Sequence, residues 1–209
     1  VLHGSRNWSD GLRRHLFILV GVICLLVICD QLAKALVRLL LRPNETVILV
    51  PNVAFLCFKI NETGFSWWLP SLPDWAGLAF RLLLFMICLL AIPVYLFYSL
   101  YRRSGKWVDL AFVGIAASLC GHLSDDLFMP FTTDFIRLGH GPSANLADVY
   151  SYFGLTALVI EMVLYRRKYA DRGGGIRHRL SMMGRTRKQF IHFLAGDLWR
   201  FLFAPKRSE

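Results

Sequence analysis

The run LFILVGVICLLVIC, Leu16–Cys29, contains no charged side chain, and the apolar pattern resumes through Leu32–Leu41 after Asp30 and Gln31. Together the two pieces supply the roughly 20 residues that an α-helix needs to cross the hydrocarbon core of a bilayer. A rival reading is a secretory signal peptide, with Arg13-Arg14 ahead of the apolar core and Ala33-Lys34-Ala35 as a weak cleavage site. The helical pattern runs on past that site, which favours a transmembrane helix.

Outward from this stretch the composition agrees. Of 209 residues, 56% are apolar and 18% charged, and the mean hydropathy is +0.47. Soluble domains lie nearer about 45–50% apolar and about 25% charged. Further apolar runs occupy Trp75–Leu100, Trp107–Leu123 and Val149–Tyr165, the last stopped by Arg166-Arg167-Lys168. The second is interrupted by Arg81 and by Pro93, which breaks helical hydrogen bonding and kinks the chain. The expected fold class is therefore an all-α membrane protein with four transmembrane helices.

Residues 42–70 differ in kind. Val47–Ile60 is rich in β-branched and aromatic residues, broken by Pro51 and Asn52, and reads as two short strands. Strands with open edges cannot lie in lipid. A small β subdomain on the outer face is expected, with Trp67, Trp68 and Trp75 at the interfacial rim. Leu123–Ala147 reads as a polar and aromatic loop.

The charge distribution orients the chain. The net charge is +10, and it is unevenly placed. Arg6, Arg13 and Arg14 precede the first span, Arg102, Arg103 and Lys106 join the second to the third, and a dozen basic residues follow from Arg166 onward. The other two connections hold only Arg42, Lys59 and Arg137. Basic connections stay in the cytoplasm, so both termini are expected there. No motif supports a nucleic-acid partner. The expected division is a cytoplasmic segment 1–14, a membrane domain 15–166 and a basic tail 167–209. Within the tail, Gly173-Gly174-Gly175 precede an amphipathic stretch around Phe190, Ile191, Leu194, Leu198, Phe201 and Leu202. It is expected to lie on the membrane surface, with packing against a partner as the alternative. Cys24, Cys29, Cys57, Cys88 and Cys120 show neither metal-ligand spacing nor a disulfide framework.

Candidate chemistry lies in the connections expected outside. Asp125, Asp126 and Asp134 fall in the loop before the last span, and Asp148 sits where that span begins. Three readings compete: solvated loop acids, a divalent-cation cage completed by Asn145, and an aspartyl dyad. In a dyad one carboxyl donates a proton while the other activates water. In the first span, Asp30 and Lys34 stand four residues apart and so share a helix face. Charges within a span point into the bundle and pair, or mark function.

Read in order, these residues resemble signal peptidase II, the bacterial lipoprotein signal peptidase. That family's first helix ends in Asp-x-x-x-Lys, matched by Asp30-Gln31-Leu32-Ala33-Lys34. Its outer loop has Asn followed closely by Gly and Phe, approximated by Asn61-Glu62-Thr63-Gly64-Phe65-Ser66. Its third helix ends Gly-Asn-x-x-Asp-Arg, compared with Gly121-His122-Leu123-Ser124-Asp125-Asp126 here. Asp-Phe follows in the loop, as in Asp134-Phe135, and the fourth helix opens Asn-x-Ala-Asp, as in Asn145-Leu146-Ala147-Asp148. The resemblance covers roughly residues 15–166.

The resemblance implies a membrane aspartyl endopeptidase that removes signal peptides from diacylglyceryl-modified prolipoproteins entering laterally from lipid. Asp134 and Asp148 would be the catalytic dyad. Asn61, Gly64, Asp125, Asn145 and His122 would shape the site, and Asp30 and Lys34 would form a structural charge pair. No metal or cofactor is implied. The expected setting is the bacterial inner membrane, as a monomer, with the active site at the outer face. Departures are His122 for the family's Asn, Asp126 for its Arg, Gly64 one residue late, and a shorter loop between the two candidate acids. They leave open a non-catalytic relative that binds lipoproteins or their signal peptides, and a cation-binding or transport protein that uses the acids.

Overall fold

Leu16–Cys29 and Leu32–Leu41 belong to a single helix, α1 (Ser5–Leu40). It runs without a break through Ala33-Lys34-Ala35. The computed structural model describes residues 5–61, 74–102, 105–129, 131–170 and 186–198. Helices α2 (Asp74–Arg102), α3 (Lys106–Phe128) and α4 (Leu146–Ala170) follow. Among the described residues, three helical stretches are long and apolar enough to span a bilayer: Arg14–Leu40, Lys106–Phe128 and Leu146–Leu164. The expected second span, on α2, contributes a shorter apolar stretch, Phe85–Ser99.

The helices are inside-out relative to a soluble bundle. On α1, Phe17 and Leu39 are about four-fifths exposed, at 80% and 79%, whereas Asp30 and Lys34 are 0% exposed. A bilayer makes this the stable arrangement: lipid solvates the apolar face, and charges turn inward to find partners.

Small residues set how closely α3 and α4 approach. A Cβ on Gly114 would stand 2.8 Å from both the Gly154 Cα and the Tyr150 carbonyl oxygen, so the two backbones touch there. At the other end a Cβ on Gly121 would come 3.0 Å from the Ala147 Cβ. Without a hydrophobic force between helices in lipid, such close packing holds them together.

The β structure expected on the outer face is larger than two strands. Strands β1 (Thr46–Val50) and β2 (Ala54–Asn61) form where the β-branched pattern placed them. Strand β3 (Thr132–Leu138) and the short β4 (Ser143–Ala144) then add to β2 in the antiparallel order β1-β2-β3-β4. The expected loop Leu123–Ala147 is thus replaced by the last turn of α3 and a hairpin. The physical reason is local. Thr132-Thr133-Asp134-Phe135-Ile136 is strand-forming sequence, and Asp125 extends α3 because a cation awaits it.

The sheet rests on the C-terminal end of α1. Val37, Phe58 and Phe135 form a buried cluster with Ala33, Leu41, Leu56, Ile60, Ile136 and Leu146 packed around it. Leu19, Tyr95 and Val113 form a second cluster among the first three helices. A third joins Leu96 and Phe97 of α2 to Phe193, in the helical segment 186–198. The described part of the amphipathic stretch therefore packs on α2, with Phe193 at 0% exposure. Phe201 and Leu202 lie outside the described residues.

Candidate active site

Two polar layers meet where the sheet caps the helices. The deeper one is centred on Lys34. Its Nζ lies 2.6 Å from Asp30 Oδ2 and 2.5 Å from Asp125 Oδ2, with all three side chains at most 1% exposed. Gln31 Nε2 donates to Asp125 Oδ1 at 3.0 Å and to the Gly121 carbonyl at 3.2 Å. Asp30 Oδ1 accepts the backbone N–H of Ala147 at 3.1 Å. That N–H is one of the four unpaired donors at the start of α4. One network thereby ties α1 to α3 and fixes the beginning of α4.

The second layer holds the candidate dyad. Asn145 and Asp148 cap α4 reciprocally: Asp148 N–H donates to Asn145 Oδ1 at 3.2 Å, and Asn145 N–H donates to Asp148 Oδ2 at 3.0 Å. This capping-box geometry explains the spacing of the Asn-x-x-Asp motif. The Asn145 side-chain amide then reaches the other way, donating from Nδ2 to Asp134 Oδ1 at 2.9 Å. Asn61 Nδ2 donates to Asp134 Oδ2 at 3.1 Å. A single residue, Asn145, thus contacts both carboxylates.

Strand register delivers Asp134. It pairs with Lys59, and the register shifts between Leu56 and Lys59. Such bulges turn a strand and re-aim its side chains. On the neighbouring residue, Thr133 Oγ1 accepts from Arg38 at 3.1 Å.

Burial and charge tune Asp134. Desolvation pushes its carboxyl up to about 6, and the negative charge of Asp148 acts in the same direction. The Asn61 and Asn145 hydrogen bonds and the charge of His122 pull the other way. Burial favours the neutral acid because the anion loses water. His122, on α3, places Nε2 3.4 Å from Asp148 Oδ1, and these two side chains are 29% and 33% exposed.

The candidate residues from the sequence therefore separate into two groups. Asn61, His122, Asp134, Asn145 and Asp148 come together around the open layer. Asp125 does not join them, because it is the second partner of Lys34, a role the sequence did not suggest. Gly64 lies outside the described residues. Among the described residues, no group of three or more His, Cys, Asp or Glu side chains is disposed to hold a metal ion. Away from the site, Glu161 accepts the Tyr98 hydroxyl at 2.9 Å and ties α2 to α4.

Residues 22–164 match the family model described as signal peptidase (SPase) II. A lipoprotein signal peptidase of Syntrophomonas wolfei is 31% identical over 144 residues, covering 69% of this chain and 91% of the relative. Two solved structures described as bacterial membrane enzymes, determined by the in meso method at 1.9 and 2.3 Å, share the fold. The first has a TM-score of 0.55 at 16% identity and covers 69% of this chain and 92% of its own. The second has a TM-score of 0.56 at 17% identity and covers 70% and 87%.

Proposed function

This chain belongs to the signal peptidase II family, whose reaction is the cleavage of lipoprotein signal peptides, and we propose that it performs that reaction as an aspartyl endopeptidase using Asp134 and Asp148. The observation that carries the reading is Asn145, whose side-chain and backbone N–H groups contact the two carboxylates. Two acids held by one residue, one of them with its pKa raised to about 6, suit a pair that shares a proton.

Asp134, the more buried acid, carries the proton. Asp148 takes a proton from water as the water oxygen adds to the scissile carbonyl, and Asp134 donates its proton to the carbonyl oxygen. Collapse of the tetrahedral intermediate breaks the C–N bond. The proton held by Asp148 passes to the departing amine, and the hydroxyl proton returns to Asp134. The dyad is thereby restored.

The substrate is a prolipoprotein, diacylglyceryl-modified, reaching the dyad laterally from the lipid. α2 completes a bundle of four spans, both termini lie in the cytoplasm, and the sheet and dyad face outward from the inner membrane. The chain acts as a monomer. Basic-residue placement supports this orientation. The domain limits we propose are 15–166 for the enzyme and 167–209 for the tail; the family match spans residues 22–164.

The test is cleavage of a lipidated precursor by the purified protein. Asp134→Asn and Asp148→Asn should each abolish turnover while leaving folded yield near wild type, and the double variant should be no worse, because the acids act as a unit. Substantial cleavage by both single variants defeats the dyad. Turnover in those variants restored by divalent cations would favour the cation reading instead.

A further inference from the structure

The dyad chemistry leaves one ionisable neighbour unused. His122 meets Asp148 at Oδ1, at 3.4 Å, whereas Asn145 N–H holds Oδ2 at 3.0 Å. Its placement follows from the packing of α3 on α4. Gly121 lies so close to Ala147 that a Cβ would stand 3.0 Å from the Ala147 Cβ, so the next residue of each helix, His122 and Asp148, is brought face to face. Both border the open side of the site, with Asp134 and Asn145 buried behind them.

The charged groups around the ring come from every element packed there. Asp148 faces it from α4, and Asp134 from β3 is close enough to feel its charge. Asp125 and Asp126 lie on its own helix, with Asp125 turned to Lys34 of α1. Asp30 of α1 is engaged by Lys34 and by the Ala147 N–H.

We propose that His122 is a positioning residue for the dyad: its Nε2–H grips the Asp148 oxygen that Asn145 leaves free, and a positive charge on its ring stands beside the two acids. The inference rests on the aspartyl reading above. Asparagine, present at this point in the family resemblance, can hold a carboxylate but carries no charge. Histidine is the side chain that changes charge near neutral pH. This chain thus gains a third ionisable group at the site.

The consequence is legible in a pH profile. The active dyad holds one proton, so its loss from Asp134 defines the alkaline limb of kcat/KM. A neighbouring cation favours the ionised carboxylate and lowers that limb. His122→Gln keeps an N–H at similar reach and removes the charge.

The experiment measures kcat and KM for a lipidated precursor between about pH 5 and 9, using the full chain in detergent. His122→Gln should keep at least about a tenth of wild-type kcat/KM at its optimum, with the alkaline limb moved up by roughly 0.5–1 pH unit. His122→Ala should lose about tenfold or more in kcat with KM little changed. A superimposable profile for His122→Gln, or full kcat in His122→Ala, overturns the proposal. Should His122→Ala fail to fold by thermal unfolding, the glutamine profile alone decides. Asp134→Asn and Asp148→Asn are assayed in parallel. Turnover in both sinks the dyad itself, whereas inactivity there with an unshifted glutamine profile sinks only the role of His122.

Discussion

Replacing Lys34 with methionine keeps most of the side-chain volume and deletes the cation that two buried carboxylates share. Asp30 and Asp125 are 0% and 1% exposed, and both approach Nζ within 2.6 Å. Removing one partner of a buried ion pair costs about 3–5 kcal/mol, because the remaining charge is left uncompensated. Here one cation serves two anions, which places the expected loss near the upper end, roughly 5 kcal/mol. The surviving hydrogen bonds from Ala147 N–H to Asp30 and from Gln31 to Asp125 temper that figure without supplying a positive charge. For a chain of this size each kcal/mol shifts the midpoint by about 2–4 °C, so Lys34→Met should lower Tm by about 10–20 °C.

A triple variant separates charge from shape. Asp30→Asn, Lys34→Met and Asp125→Asn together remove every charge, yet each amide oxygen still accepts its N–H donor. Neutral replacement of a buried ionic network is often neutral or even stabilising, so the triple variant should return to within about 2 kcal/mol of wild type. Thermal unfolding in detergent, followed by tryptophan fluorescence, reads both. A loss below about 1 kcal/mol in the single variant would mean that the network is not desolvated as described. A triple variant as damaged as the single one would mean that packing, not charge, is what Lys34 provides. The folded fraction of Lys34→Met should still cleave, since the hydrogen bonds of Lys34 go to Asp30 and Asp125 and not to the proposed dyad.

Asp134 should make stability fall with rising pH. Its folded pKa, about 6, lies above the ordinary aspartate value of about 3.9, so the fold binds the extra proton. The stabilisation is complete below about pH 4 and lost as pH rises through about 6, a change of up to about 3 kcal/mol. Asp134→Asn should flatten that slope, and an unchanged slope in unfolding measured across this range would contradict the raised pKa. For topology, single thiols introduced in a cysteine-free background at exposed His140 and Lys106 should differ. Only the former should react with an impermeant reagent added from outside, and labelling of the latter would overturn the four-span orientation.

What could be read from the sequence divides along local and distant interactions. Asp30 with Lys34 is a pair within one helical turn, and spacing alone brought it together, whereas Asn145 and Asp148 were joined by the family motif and their reciprocal cap emerged only in the structure. β1 and β2 were likewise legible from adjacent β-branched runs. Asp125 was read as a loop acid because its partner Lys34 is 91 residues away. Once that partner exists, burial of a carboxylate at the end of α3 becomes favourable and the helix continues to Phe128. The strand character of Thr132–Leu138 was hidden by Asp134, a poor strand former whose burial depends on Asn61 and Asn145. Phe190 and Phe193 marked an apolar face, but periodicity cannot say whether lipid or protein covers it; Leu96 and Phe97 do.

The same division explains why the site lies where sequence reading is hardest. In a chain solvated by lipid, hydropathy finds the helices but not the faces they turn toward one another, because lipid and core are equally apolar. The inward face is written in the exceptions: Gly114 and Gly154 where backbones touch, Gly121 where the Ala147 methyl packs close, and Asp30, Lys34 and Asp125 where charge must be matched. These exceptions also position the chemistry. Asp30 holds the first turn of α4 through the Ala147 N–H, that turn presents Asp148, and the close approach at Gly121 brings His122 to the same carboxylate. Asp134 arrives independently, on a strand whose register is set by β2. The proposed dyad is therefore assembled from two separately anchored halves, and Asn145 is the residue at which they join.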